Sequence, residues 1–255
     1  AKEADWLADY ALFMALKDAH GGAAFTDWES SLRRREPQAL KDAAETYAAD
    51  TAFYSLLQYW AFSQWDEVKR YAAASGVRIL GDMPIYVSAD SADVWADPAL
   101  FCLDADGQPT EVAGCPPDAF SDDGQLWGNP LYNWAAMEKD GYAWWQRRIR
   151  AACTLFDTVR IDHFRGFEAY YAIPAGETTA KNGRWRKGPG MRLFRAVREA
   201  LGELPIVAED LGFLTPAVHR LLRQTGFPGM KVLQFAFDPD EESAYLPHNC
   251  LPHSV

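Results

Sequence analysis

The chain has 255 residues, 49% of them hydrophobic, and its 25 basic and 36 acidic side chains give a formal net charge of −11. This hydrophobic fraction is enough for a sizeable core, and no apolar run approaches the length of a transmembrane helix. The negative charge argues against nucleic acid or an anionic membrane as a partner, because both repel an acidic surface.

The amino-terminal part of the chain, residues 1–76, is predicted to be helical. Apolar and aromatic residues recur there at helical spacing from Trp6 onward, and Ala43–Ala74 is rich in Ala with interspersed aromatics. Gly76 interrupts this pattern before an apolar run that begins at Val77. We therefore expect a helical segment over 1–76 and a different organisation over 77–255.

Residues 88–134 contain many Asp, Gly and Pro residues and show little periodicity. Long loops after the strands of an α/β barrel carry binding sites, so this stretch is predicted to be a loop-rich, substrate-binding insertion. Within it, Asp104–Gly107 resembles part of a calcium-binding loop, but the positions that need Asp and Glu hold Cys102 and Ala113. The segment therefore predicts a turn, and we expect neither a metal nor a cofactor.

The pattern predicts an α/β fold, because strands and helices alternate after Asn133. The predicted helices are Trp134–Cys153, Met191–Leu201 and Thr215–Gln224. The predicted strands, with no others, are Val77–Met83, Thr158–His163, Ile206–Asp210 and Lys231–Phe237.

Two of these strands end in a carboxylate, which is how a buried parallel strand presents an acid at the rim of an α/β barrel. In the first, Arg160 and Asp162 share one face, while Val159 and Ile161 point to the outer helices. A guanidinium beside a carboxylate favours its ionised form, which a nucleophile needs.

The second strand places Glu209 on the same face as Val207, with Ile206 and Ala208 on the outer face. Little in this apolar sequence keeps the carboxyl ionised, so we expect a raised pKa, as a general acid requires. Either carboxylate alone would be read as an ordinary strand-end residue. The pair, with Arg160 two residues before Asp162, favours glycoside chemistry, in which one carboxylate attacks and the other donates a proton.

Several ordered motifs closely resemble the 4-α-glucanotransferase family (amylomaltase or disproportionating enzyme, glycoside hydrolase family 77) of the α-amylase clan. The resemblance is collinear from Trp6 to the last residues. Its motifs are Gly81–Val87, Pro116–Ser121, Gly124–Pro130, Arg160–Glu168, Gly188–Gly190, Val207–Gly212 and Phe227–Phe235.

The resemblance implies a partial (β/α)8 TIM barrel, made of about strands three to six, and a retaining transfer of α-1,4-glucan segments between maltooligosaccharides. It implies that Asp162 is the nucleophile and Glu209 the acid/base. It also implies that Asp82, Arg160 and His163 line the sugar subsite at the cleavage point.

The insertion adds candidate sugar-binding residues. Sugar rings stack their apolar faces on aromatic rings, a role expected of Phe120 and Trp127. Sugar hydroxyls need polar partners, a role expected of Asp118, Gln125 and Asn129.

The same resemblance implies a third catalytic carboxylate, in a His-Asp-Asn motif that does not occur before Val255. We therefore expect an internal piece of the enzyme, inactive alone, whose open barrel edges favour self-association.

Two alternatives remain for function, an α-glucan hydrolase of the same clan and a fragment with only a structural or carbohydrate-binding capacity. For the compartment we expect the cytoplasm. The start of the chain, Ala1–Asp5, has no signal-peptide pattern, and Cys102, Cys115, Cys153 and Cys250 have no metal-binding spacing.

Overall fold

A computed structural model of the chain describes residues 6–118, 121–212, 214–237, 245–250 and 254–255. The helices in chain order are α1 (Leu7–Ala19), α2 (Ser30–Arg33), α3 (Pro37–Thr46), α4 (Ala48–Ala74), α5 (Ala92–Ala96), α6 (Trp134–Lys139), α7 (Ala143–Leu155), α8 (Met191–Leu201) and α9 (Pro216–Thr225). The strands are β1 (Leu80–Met83), β2 (Glu111–Cys115), β3 (Gln125–Pro130), β4 (Thr158–Ile161), β5 (Ala169–Pro174), β6 (Arg184–Lys187) and β7 (Ile206–Ala208).

The chain divides into two compact units. The first takes the residues up to Tyr71 together with Tyr86–Ala136 and Tyr171–Arg184. The second takes Ala72–Ile85, Met137–Tyr170 and the residues from Trp185 onward. No helix among the described residues has the length and apolar character needed to span a membrane.

The first unit contains the helices that the amino-terminal sequence predicts. Its core is aromatic: the ring of Phe13 on α1 lies 5.4 Å from Trp28 and 5.8 Å from Trp95, measured between ring centroids. All three side chains are almost completely buried. This aromatic cluster holds α1 and α5 together.

The first unit also contains strands that the sequence reading missed, so the prediction of four strands and no others was wrong. β2 pairs in antiparallel fashion with β3 and with β5. The β2–β3 register shifts between Val112 and Gly114. Short strands with an irregular register and several Gly and Pro residues do not produce the long alternation that reveals a strand in a sequence.

The second unit is built on a parallel sheet with the strand order β1-β4-β7. Asp82 lies opposite Arg160 in the β1–β4 register, and Arg160 lies opposite Val207 in the β4–β7 register. Val159 and Ile161 are completely buried, while Arg160 is only partly buried, as the predicted alternation requires. The strands therefore present their polar side chains on one face and pack the other.

The predicted fourth strand, Lys231–Phe237, was wrong, because Leu233–Phe237 forms a 3-10 helix. Its apolar side chains Leu233, Phe235 and Phe237 alternate in sequence as they would in a strand, yet all three are exposed. Parallel bridging occurs earlier, where Gly229 pairs with Ala208 and with Ser254. The alternation alone could not show that these apolar residues lie on the surface.

The helix predicted over Trp134–Cys153 is divided into α6 and α7. The break follows from Gly141 and Tyr142, which both adopt left-handed backbone conformations with φ of 69° and 62°. Asp140 then accepts a hydrogen bond from the Ala143 backbone N–H at 3.2 Å, which starts α7. The other two predicted helices correspond to α8 and α9, within two residues at each end.

Gly81 on β1 lies where the Phe156 ring packs against the strand. A Cβ atom at this position would stand 2.0 Å from the ring, closer than any real contact. Only glycine at this position, directly before Asp82, therefore allows the Phe156 ring to cover the strand.

Candidate active site

Arg160 is the centre of the polar face of the parallel sheet. Its Nη1 donates to Asp82 Oδ1 at 2.5 Å, and its Nη2 lies 2.9 Å from Asp162 Oδ1. Its Nε donates to the Met230 sulfur at 3.2 Å. The guanidinium thus contacts neighbours contributed by three segments of the second unit, and it brings Asp82 and Asp162 to the same place.

Asp162 follows β4 directly, and its position is fixed by backbone bonding to the neighbouring strand. Its N–H donates to the Met83 carbonyl at 3.1 Å, which continues the β1–β4 ladder by one residue. Its side chain is 39% exposed, so the carboxylate is open to solvent on one side while Arg160 holds the other.

Glu209 follows β7 directly and is 8% exposed. Its carboxylate accepts hydrogen bonds from the backbone N–H of His163 at 2.8 Å and of Leu211 at 2.7 Å. Burial raises the pKa of this carboxyl and the Asp162 charge raises it further, while the two N–H donors and Arg160 oppose the rise. The net pKa is raised, as the sequence predicts.

His163 has a left-handed backbone with φ of 50°, which is uncommon for a residue other than glycine. Its Nε2 atom is buried. Burial lowers the pKa of the imidazole to about 4, and the charge of Arg165 acts in the same direction. The ring is therefore neutral near pH 7 and has one N–H to donate.

The candidate sugar-binding residues of the insertion belong to the first unit. Gln125 and Trp127 are two residues apart on β3 and lie on the same side of it, while Gly128, with φ of 79°, separates them from Asn129. The Trp127 indole N–H donates to Gln125 Oε1 at 3.0 Å, and the Asn129 amide donates to the Val87 carbonyl at 2.8 Å. These bonds orient the Trp127 ring and anchor β3.

Asp118 is exposed, and its Oδ1 accepts from the Ser121 backbone N–H at 2.9 Å. The predicted stacking residue Phe120 lies outside the described residues.

The calcium-like segment forms the turn that the sequence predicts. Asp104 Oδ1 accepts from the backbone N–H groups of Asp106 and Gln108, both at 2.9 Å. Within the described ranges, no three His, Cys, Asp or Glu side chains converge in a way that could hold a metal ion.

Sequence reasoning missed two residues that contact this site. Met230 accepts from Arg160, and Asp210, which is 3% exposed, accepts from the Met230 backbone N–H at 2.7 Å. The available signal was the position of Asp210, a charged residue directly after Glu209. Met230 carried no such signal, because a thioether is read as a packing residue.

The lowered pKa of His163 predicts a pH dependence of stability. The unfolded imidazole takes up a proton near pH 6.5 and the folded one only near pH 4, so stability is lost as pH falls through this window. Between pH 7 and pH 5 the free energy of unfolding should fall by about 1–2 kcal/mol more in the unchanged chain than in the His163→Asn variant. Asn stays neutral and tolerates a left-handed backbone. Urea unfolding at the two pH values measures this, and equal losses would contradict it.

Comparison with known proteins gives a consistent result. A family model described as 4-alpha-glucanotransferase matches residues 1–255. The 4-alpha-glucanotransferase of Thermus thermophilus is 55% identical over 252 residues, which is 99% of this chain and 50% of that protein. The chloroplastic/amyloplastic enzyme of Solanum tuberosum is 48% identical over 96% of this chain and 42% of its own length.

A solved structure of amylomaltase from Streptococcus agalactiae in complex with acarbose matches the fold with a TM-score of 0.95 and 45% sequence identity. The match covers 99% of this chain and 52% of that one. The chain thus spans about half the length of the curated relatives it matches. On the family match and these identities, the chain belongs to the 4-alpha-glucanotransferase family.

Proposed function

We propose that the protein is a 4-α-glucanotransferase that moves α-1,4-glucan segments between maltooligosaccharides with retention of configuration. The observation that carries this proposal is the pair of carboxylates at the ends of adjacent parallel strands. Asp162 is held by Arg160 and partly open to solvent, whereas Glu209 is buried with a raised pKa. The two environments differ in the way that a nucleophile and a general acid require.

In the proposed reaction, Glu209 protonates the glycosidic oxygen while Asp162 attacks the anomeric carbon. The bond to the leaving glucan breaks and a covalent glycosyl–Asp162 ester forms. Glu209, now ionised, then takes the proton from an acceptor glucan hydroxyl, whose oxygen displaces Asp162. Asp82, Arg160 and the neutral imidazole of His163 are proposed to bind the sugar at the cleavage point.

The preference for transfer over hydrolysis is proposed from the family, because the two carboxylates would serve either reaction. Transfer requires that a bound acceptor and the surrounding side chains exclude water from the intermediate. Incubation of the full-length protein with maltotriose separates the two, since disproportionation conserves the number of reducing ends and hydrolysis increases it.

Substitution of the two carboxylates in the full-length protein should separate their roles. Asp162→Asn should reduce maltotriose turnover by about 10⁴-fold or more while maltotriose still binds, because the nucleophile acts in the chemical step. Glu209→Gln should also lose maltotriose turnover, yet it should still release fluoride from α-maltosyl fluoride, whose leaving group needs no acid.

Asp157→Asn is the matched control, because Asp157 stands at the opposite end of β4 and accepts from the Ile79 backbone N–H at 2.8 Å. It should keep turnover within about fivefold. Normal turnover by Asp162→Asn would end the proposal. In a crystal structure with bound oligosaccharide, retention requires the Asp162 and Glu209 carboxyls to lie about 5–5.5 Å apart.

For the first unit we propose that β3 and its loop bind glucan, with Trp127 stacking on a sugar ring and Asp118, Phe120, Gln125 and Asn129 as further contacts. The support is the indole of Trp127, which is partly exposed and held in place by Gln125. Trp127→Ala should therefore weaken binding of maltoheptaose by about 1–2 kcal/mol and that of maltotriose by less. Calorimetric titration with both sugars measures this. Leu126→Ala, on the opposite face of β3, is the control, and equal losses in both variants would contradict the role.

We also propose that the parallel sheet belongs to a (β/α)8 barrel, with β1, β4 and β7 as its third to fifth strands. The parallel order and the intervening helices α7 and α8 support this. We further propose that the helical segment ends and the barrel begins near residue 76, and that residues 88–134 form an insertion in the barrel. A cytoplasmic location is proposed because the four cysteines are thiols and not disulfides, which suits a reducing compartment.

The 255-residue chain is further proposed to associate with itself, because α4 carries an exposed apolar stripe. Its members recur at helical spacing and are 43–77% exposed: Phe53, Leu56, Trp60, Val68 and Tyr71. Exposed apolar side chains aligned in this way favour association in water. Light scattering coupled to size exclusion should show a mass that rises with concentration, and Trp60→Glu with Tyr71→Glu should reduce it. A monomer at all concentrations would contradict this proposal.

A further inference from the structure

Asp210 is a buried carboxylate that the proposed reaction does not use. It directly follows Glu209 and is 3% exposed. Its Oδ1 accepts from the Met230 backbone N–H at 2.7 Å, and its Oδ2 lies 3.6 Å from Lys231 Nζ. A buried charge is stable only when it is hydrogen-bonded and paired, and the Met230 N–H and the Lys231 ammonium group fill these two roles for Asp210.

The backbone explains why a side chain is needed at this point. Ala208, the last residue of β7, donates its N–H to the Pro228 carbonyl at 2.9 Å. The next N–H, that of Glu209, donates to the Ile161 carbonyl on the other side, as successive N–H groups of a strand do. On the side of Pro228 the Met230 N–H donates to the Asp210 side chain, which takes the place of a backbone acceptor there.

Close packing at Gly229 shows that this arrangement is tight. A Cβ atom on Gly229 would lie 2.7 Å from both carboxylate oxygens of Asp210. Gly229 also bridges to Ala208 on one side and to Ser254 on the other. Asp210 therefore lies directly against the backbone that places Met230.

Met230 in turn contacts the guanidinium at the centre of the site. Its sulfur accepts from Arg160 Nε, while the two terminal nitrogens hold Asp82 and Asp162. The side chains of Asp82 and Asp162 are 58% and 39% exposed, so both carboxylates are partly open to solvent. Met230 is the contact of Arg160 whose backbone N–H is bonded to a buried carboxylate, that of Asp210.

We propose that Asp210 is a positioning residue, which fixes Met230 against Arg160 and thereby orients the guanidinium that holds Asp162. This inference rests on the proposed function, because it assigns Asp210 to the glycosyl-transfer step at Asp162. Asp210 acts through Met230 and Arg160, and it does not act through its chain neighbour Glu209.

Two glycosyl donors, maltotriose and α-maltosyl fluoride, distinguish an effect of Asp210 on Arg160 from an effect on Glu209. In the full-length protein, Asp210→Ala should lower kcat for maltotriose and for α-maltosyl fluoride by the same factor, about 10–100-fold, with little change in KM. Loss with maltotriose alone would mean that Asp210 serves the acid Glu209, and this would overturn the inference.

A conservative variant and a matched control separate positioning from general damage to the fold. Asp210→Asn keeps an oxygen for the Met230 N–H and loses only the Lys231 contact, so its kcat should stay within about fivefold. Asp157→Ala removes a carboxylate that also accepts a backbone N–H in the same sheet. It should lower the thermal midpoint without lowering kcat, and an equal fall in kcat would remove the special role of Asp210.

A double-mutant cycle tests the link through Met230. Met230→Ala should lower kcat. Adding Asp210→Ala to this variant should lower kcat by less than about a further threefold, because the effects of residues that act through one another are not additive. A full additional loss in the Met230→Ala background would overturn the link.

A crystal structure of Asp210→Ala gives a readout that does not depend on activity. The Arg160 Nη2–Asp162 Oδ1 distance, 2.9 Å here, should lengthen beyond hydrogen-bond range or the guanidinium should show two positions. An unmoved Arg160 would reject the positioning role even if the protein had no transferase activity. Absence of turnover in the unchanged protein would reject the proposed function alone.

Discussion

The site depends on the register that places Asp82 beside Arg160 on adjacent parallel strands. The Arg160 ion pairs do not set this register, because partly exposed pairs contribute about 0–1 kcal/mol each. Burial of Val159 and Ile161 on the opposite face contributes about 1.5–3 kcal/mol for each side chain. Apolar packing therefore fixes the strand, and the guanidinium then orients the carboxylates that the strand has already brought together.

Burial and two backbone N–H donors have opposite effects on the pKa of Glu209, and the two donors also fix the position of its carboxyl group. Burial favours the neutral carboxyl, whereas the two backbone N–H donors favour the ionised form, and burial has the larger effect. Each N–H points to a different carboxyl oxygen, and an oxygen accepts a hydrogen bond in either protonation state. The same two bonds therefore hold the group before and after a proton is transferred, which a group that acts as acid and then as base requires.

The sequence predicted best where burial follows a simple period, and worst where irregular backbone decides. In β4 the alternation about Arg160 was readable because one face is fully buried. β2 and β3 were missed because Gly, Pro and a register shift interrupt their pattern. Leu233–Phe237 misled because its exposed apolar residues imitate a strand. The contact between Arg160 and Met230 joins residues 70 positions apart, which no local pattern encodes.

The end of β4 bonds to both of its neighbouring strands, and a residue with a left-handed backbone, His163, follows at once. The N–H of Asp162 donates towards β1, to Met83, and the next N–H, that of His163, donates the other way to the Glu209 carboxylate. Consecutive N–H groups of an extended strand point to opposite sides, so these two donors reach the two neighbouring strands. The left-handed backbone at His163, with φ of 50°, then ends the strand. Such a conformation costs about 1–2 kcal/mol for a residue with a Cβ atom. An intramolecular hydrogen bond contributes about 0.5–1.5 kcal/mol net. The bond from the His163 N–H to Glu209 is therefore of the same order as the strain, and the strained residue lies next to Asp162 and bonded to Glu209.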